Sequence, residues 1–184
     1  GVYVEVKDPA AHHAAGLDAS RAILEVLGQY GYDSADDRIY LQCFDEVEVR
    51  RLRNELKTKM LVIQLLSQPA DAAKLREIAK VADGVGVPLS HVVTGKNSEG
   101  APEVTELVHN AHANGLQVHV WTFRTDALPS FVESANDYLE LLVVAGGVDG
   151  IFADQPDVVV QWRTTRRQQV KGGSPFHLLN ERSK

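Results

Sequence analysis

Glu5 and Lys7 stand two residues apart in the opening run GVYVEVK. That spacing sends both side chains to one side of an extended strand, about 7 Å apart along it. A carboxylate and an ammonium facing inward are costly unless they pair with each other or bind something. The residues alone leave two readings open: a structural ion pair, or a site where the carboxylate holds a metal and the ammonium an anionic substrate. His119 and Trp121, also two apart, pose a similar choice between a hydrogen-bonded core histidine beside a packed indole and the wall of a site. Asp154, in the run ADQPD, either caps the helix that Pro156 begins or serves as a ligand group. His12 and His13 follow the first strand and read as solvated loop side chains.

The elements that must position these groups are legible as alternating periodicities. Val2, Val4 and Val6 alternate with Tyr3, Glu5 and Lys7, which predicts a strand over 1–7. The same pattern predicts strands over 38–44, 60–66, 84–87, 116–123 and 149–154. Helical spacing of apolar residues predicts helices over 17–30, 45–56, 69–79, 102–115, 128–142 and 156–162, several opened by Asp or Pro. Residues 95–100 read as a loop and 166–184 as a polar tail.

Six strands in strict alternation with six helices imply a parallel sheet with helices outside. A doubly wound sheet is covered on both faces, and both should then be apolar. Here one face is aliphatic (Ile39, Leu41, Val118, Val120), while the other carries Tyr40, Gln42, Phe44, Gln117, His119 and Trp121. That is the pattern of a barrel whose interior becomes a site, with Lys7 and Asp154 at the carboxyl ends of their strands, where such sites are built. The expected fold is an α/β, TIM-like (β/α)8 barrel that is incomplete, with about six βα units of the eight.

Composition narrows the function classes. The 184 residues carry 19 basic and 25 acidic side chains, a net charge of −6, with 44% apolar and 24% charged residues. This is the balance of one ordinary globular domain. The acidic balance argues against nucleic acid as a partner, since the one dense basic run, 163–167, is short. Apolar runs such as 60–66 and 139–147 fall short of the roughly 18 residues that span a bilayer, so no transmembrane segment is expected. Cys43, the single cysteine, excludes an internal disulfide framework and a cysteine-ligated zinc site. The chain opens directly in a strand, without an initiator Met or a signal peptide, and reads as a piece of something longer.

Four runs, GVYVEVKDPAAHH, YLQCFD, VHVWTFR and GIFADQPD, occur in an order that resembles the later part of a glycerophosphodiester phosphodiesterase of the bacterial periplasmic and secreted kind. The resemblance implies a (β/α)8 barrel that hydrolyses glycerophosphodiesters to sn-glycerol 3-phosphate and an alcohol, using a divalent cation, Ca2+ or Mg2+. Carried onto this chain, it makes Glu5 a metal-ligating carboxylate and Lys7 the catalytic lysine facing the substrate phosphate. Phe44 and Trp121 become the aromatic wall of the glycerol side, and Asp154 a further substrate contact, although Ala153 and Gln155 depart from the family's usual neighbours. It also implies a periplasmic or secreted location, with residues 1–165 as the carboxyl-terminal part of the barrel.

The family's His-Arg-Gly, Glu-x-Asp and His-Asp motifs do not occur in this sequence. Acidic pairs at the Glu-x-Asp spacing, such as Glu46 with Glu48, fall in a predicted helix. Phosphodiester cleavage needs proton transfer to the leaving alkoxide and stabilisation of phosphoryl charge. The chain by itself is therefore expected to be inactive, with the catalytic histidines supplied from roughly 60 to 120 further residues, a span that completes a barrel of about 250. The alternative is a non-catalytic phospholigand-binding or interaction domain derived from the same fold.

Overall fold

The structure, a computed structural model, describes residues 1–171. Strand β1 (Val2–Glu5) is followed by helices α1 (Pro9–Ala14) and α2 (Ala19–Gln29). Then come β2 (Ile39–Cys43), α3 (Glu46–Asn54), β3 (Leu61–Leu65), α4 (Ala72–Ile78) and β4 (Gly84–Pro88). A small hairpin, β5 (Val93–Lys96) and β6 (Pro102–Val104), precedes α5 (Leu107–Ala113). The chain closes with β7 (Gln117–Phe123), α6 (Ala135–Glu140), β8 (Gly150–Ala153) and α7 (Pro156–Lys171). Side chains cap the helices where the sequence supplies them. Asp18 accepts from Arg21 N, Asp45 from Val47 N and Glu48 N, Asp71 from Lys74 N and Ser134 from Asp137 N, each satisfying amides the first turn leaves unpaired.

The six predicted strands form one sheet in the order β1-β2-β3-β4-β7-β8, parallel throughout. Its aliphatic face carries the core under the helices: Ile39, Leu41, Val62, Val85, Val87, Val118 and Val120 are all fully buried. The sheet curls on itself. Tyr3 on β1 and Phe152 on β8, at opposite edges, bring their rings to 4.7 Å between centroids, whereas five flat strand spacings would part them by roughly 24 Å. Small inward residues allow this curvature. A Cβ on Gly86 would sit 2.5 Å from Leu65 Cδ2, so the wall there leaves no room for a side chain. The result is an incomplete barrel in which, among the described residues, both edge strands are unpaired on one side.

Four local expectations are corrected. Pro102 does not begin a helix but starts β6, since a proline lacking an N–H is tolerated at the start of an edge strand. The helix predicted over 128–142 is confined to 135–140 and a wider π-turn over Leu141–Ala145. Pro129 and the Ser134 cap hold the preceding residues out of it, although Leu128 and Phe131 still pack on the core. His12 and His13 lie in helix α1, opened by Pro9, rather than in a loop. The polar tail does not start at 166, because α7 runs on to Lys171 with Arg166 paired to Glu140; residues 172–184 lie outside the described residues.

Candidate active site

At the carboxyl end of β1 the chain turns sharply. Asp8 adopts φ 44° and ψ 49°, a left-handed conformation that Asp tolerates better than most residues but that still costs on the order of 1 kcal/mol. Pro9 then launches α1 at once. The turn leaves Lys7 reaching over Glu5, with Nζ 3.9 Å from Glu5 Oε2, and their side chains 73% and 27% exposed. The pair opens on a cleft of about 420 Å³ that Asp8, Phe44, Asp45 and the base of Cys43 also line.

Phe44, exposed just beyond β2, packs edge-on to Trp121 on β7, with centroids 5.8 Å apart and planes at 79°. The Trp121 indole N–H is buried and has no hydrogen-bond partner among the described residues. Asp154, just past β8, pairs with Arg124, its Oδ2 3.3 Å from Arg124 Nε. Arg124, which the sequence reading missed, also pairs with Asp126 at 2.7 Å. Glu5 and Asp154 belong to one layer of the barrel. Each stands two residues beyond a member of the Tyr3–Phe152 contact, so both rise from the same end of the sheet.

His119 lies one layer below Trp121 and is buried. Its Nδ1 is 2.8 Å from the Tyr3 hydroxyl. Burial pushes the imidazole below its usual range, against a smaller pull upward from Asp149, and burial beside Tyr40 holds the Tyr3 phenol far above its own. The contact is therefore a hydrogen bond between a neutral phenol and a neutral imidazole. His13, read from the sequence as solvated, lies with Nε2 3.2 Å from Oε2 of the buried Glu48, whose other oxygen accepts from Arg51 at 2.8 Å. His12 is partly exposed. No local sequence signal marked the His13–Glu48 pair, which joins residues 35 apart.

The described residues of this chain do not by themselves fit a divalent cation. Glu5 is one carboxylate and already faces Lys7, while Asp45 Oδ1 is taken up by two amides of α3. Among the described residues no three His, Cys, Asp or Glu side chains converge as a metal site would need. Calcium asks for six to eight oxygen ligands. What the cleft does offer is one flexible cation, one carboxylate and an aromatic edge: means to attract and orient a phosphate bearing a small polyol, without a paired acid and base.

The glycerophosphoryl diester phosphodiesterase family matches residues 1–158. The chain belongs to that family. A glycerophosphodiester phosphodiesterase from Haemophilus influenzae is 32% identical over 190 aligned residues, taking in 88% of this chain and 52% of that protein. One from Treponema pallidum is 28% identical, with 88% and 53% covered. The chain thus spans about half the length of the curated relatives it matches. Among solved structures, a glycerophosphodiester phosphodiesterase from Parabacteroides distasonis superposes with a TM-score of 0.60 at 17% identity, over 90% of this chain and 57% of that one. A protein from Agrobacterium tumefaciens, described as a glycerophosphoryl diester phosphodiesterase, gives 0.57 at 19%, over 90% and 58%. These likenesses show the fold: six parallel strands of a phosphodiesterase barrel. Among the described residues of this family member, no helix is long and apolar enough to cross a membrane.

Proposed function

We propose that this chain forms the carboxyl-terminal part of a barrel that hydrolyses glycerophosphodiesters to sn-glycerol 3-phosphate and an alcohol. The observation that carries the reading is the Glu5–Lys7 pair, 3.9 Å apart at the carboxyl end of β1 in a family member. Lys7 supplies positive charge to the phosphoryl oxygens; its ammonium, on four rotatable carbons, follows the charge as it moves onto them. Phe44 and Trp121 present an apolar edge to the carbon face of the glycerol, and Asp154, restrained by Arg124, borders the far side. In a complete barrel Glu5 would be the carboxylate that this chain gives to a divalent cation, Ca2+ or Mg2+, and that ion would supply charge neutralisation at the phosphoryl oxygens.

The chain by itself lacks the proton-transfer groups, so it binds rather than turns over. Without those groups it acts as a phospholigand-binding domain, and the incomplete donor set around Glu5 favours that second reading for the isolated chain. A periplasmic or secreted location accords with the bacterial enzymes the sequence resembles. Calorimetric titration of the chain with sn-glycerol 3-phosphate tests the site directly. Binding is expected for the native chain and its loss for Lys7→Ala, with glycerol alone not bound. Equal binding by Lys7→Ala would remove Lys7 from the site.

A further inference from the structure

Tyr3 stands on the first strand of the sheet and His119 on the fifth, with β2, β3 and β4 between them, yet their polar atoms meet at 2.8 Å. In an eight-stranded barrel, strands four apart face each other across the lumen, so this bond lies along a diameter. The surroundings hold it in place. Tyr3 stacks on Tyr40 at 4.9 Å, and Tyr40 meets the His119 ring edge-on at 5.0 Å while its own hydroxyl donates to Gln117 Oε1 at 3.0 Å. Beneath the imidazole lies Gly150, where a Cβ would come within 2.6 Å of His119 Cδ2.

The position of this bond relative to the cleft matters most. Tyr3 is two residues before Glu5, and His119 two before Trp121, so the bond runs one layer beneath both halves of the candidate site. Among the described residues β1 has a hydrogen-bonded neighbour strand on one side only. Backbone pairing with β2 fixes its register but not how far the sheet curls, and across the lumen Tyr3 is what ties β1 to β7.

We propose that Tyr3 and His119 are positioning residues: their bond sets the width of the barrel mouth, and with it the reach from the Glu5–Lys7 pair to the Phe44–Trp121 edge. This rests on the reading of that mouth as a glycerophosphate site. A ligand that touches both sides, such as sn-glycerol 3-phosphate, depends on the width. Inorganic phosphate, which engages Lys7 alone, does not. The strut therefore selects for the polyol phosphate over free phosphate.

The test compares Tyr3→Phe, His119→Leu and His119→Asn, the last keeping a hydrogen-bonding group near the Nδ1 position. Each is titrated with sn-glycerol 3-phosphate and with inorganic phosphate. In parallel, spin labels at Ala10→Cys and Thr122→Cys, both exposed, report the width while Cys43 stays buried. Tyr3→Phe and His119→Leu are expected to widen the distance distribution and to weaken sn-glycerol 3-phosphate by roughly fivefold, the worth of one hydrogen bond, with phosphate binding unchanged. His119→Asn is expected to keep the native distance and the native ratio of affinities. An unchanged distance in both disrupting variants, or equal weakening of both ligands, overturns the proposal. If the native chain binds neither ligand, the glycerophosphate reading fails and the distances alone decide the strut. Should Tyr3→Phe fail to fold, the two His119 variants carry the same comparison.

Discussion

Lys7 Nζ stands 3.9 Å from Glu5 Oε2 with most of its side chain in water, an ion pair in the exposed class that contributes little to folding. Its charge is thus free for a ligand. Lys7→Ala is expected to shift the urea midpoint by no more than about 0.5 kcal/mol of stability. In a longer chain that carries the family's histidine motifs, the same change is expected to lower kcat by a factor on the order of 10² to 10³, the effect of removing one oxyanion contact. A large loss of stability would make the pair structural.

Gln64 sits on the helix-covered face of β3 and is 2% exposed. Its Nε2 lies 3.2 Å from the carbonyl of Cys43 and 3.0 Å from that of Phe44, fastening the end of β2 where Phe44 leaves the sheet. Replacing it with Leu strands buried carbonyls, at a cost of about 1 to 3 kcal/mol. Denaturant unfolding of Gln64→Leu checks the figure, and the Phe44 ring signals in the same variant are expected to broaden.

Acid should weaken the fold through Asp18. Hydrogen bonds from Arg51 and from the Arg21 amide hold its carboxyl far below the usual carboxylate range. A folded pKa depressed below the unfolded value, about 3.9 for Asp, means the stabilisation is fully present above pH 4. It is lost as the pH falls from there toward the folded pKa. Asp18→Asn keeps a capping residue on α2 but removes that dependence. Unfolding measured from pH 7 down to pH 2 is expected to show a shallower acid slope in the variant than in the native chain.

Cys43 is 1% exposed, donates to Val6 O at 3.1 Å, and has its thiol pushed up to about 11 chiefly by burial. Only the thiolate reacts. A disulfide-exchange thiol reagent at pH 8 is expected to leave the folded chain unlabelled and to titrate one thiol after unfolding. Rapid labelling of the folded chain would show that β2 opens.

The strands were legible because Val2-Val4-Val6 and Val118-Val120 alternate with larger polar groups at a strict period of two, and the two-faced pattern distinguished a barrel from a doubly wound sheet. Glu5, Lys7, Phe44 and Trp121 could be placed on one face from that parity. The Tyr3–His119 contact could not, since it joins residues 116 apart and parity gives a side chain's face but not its partner across the lumen. Arg124 was missed because its partners, Asp126 and Asp154, come together only when β7 and β8 pair. Pro102 misled because proline opens helices and edge strands alike, and the choice was made by pairing with β5.

Whether this chain carries half of a glycerophosphodiesterase site is tested most directly by release of sn-glycerol 3-phosphate from glycerophosphocholine. The 184-residue chain is expected to give no more than the background rate with or without Ca2+ or Mg2+. A longer chain with the His-Arg-Gly, Glu-x-Asp and His-Asp motifs upstream is expected to release product in a metal-dependent way, and Glu5→Ala in that longer chain to abolish it. Full turnover by the 184 residues alone, or a longer Glu5→Ala chain that keeps its metal response, would contradict the account.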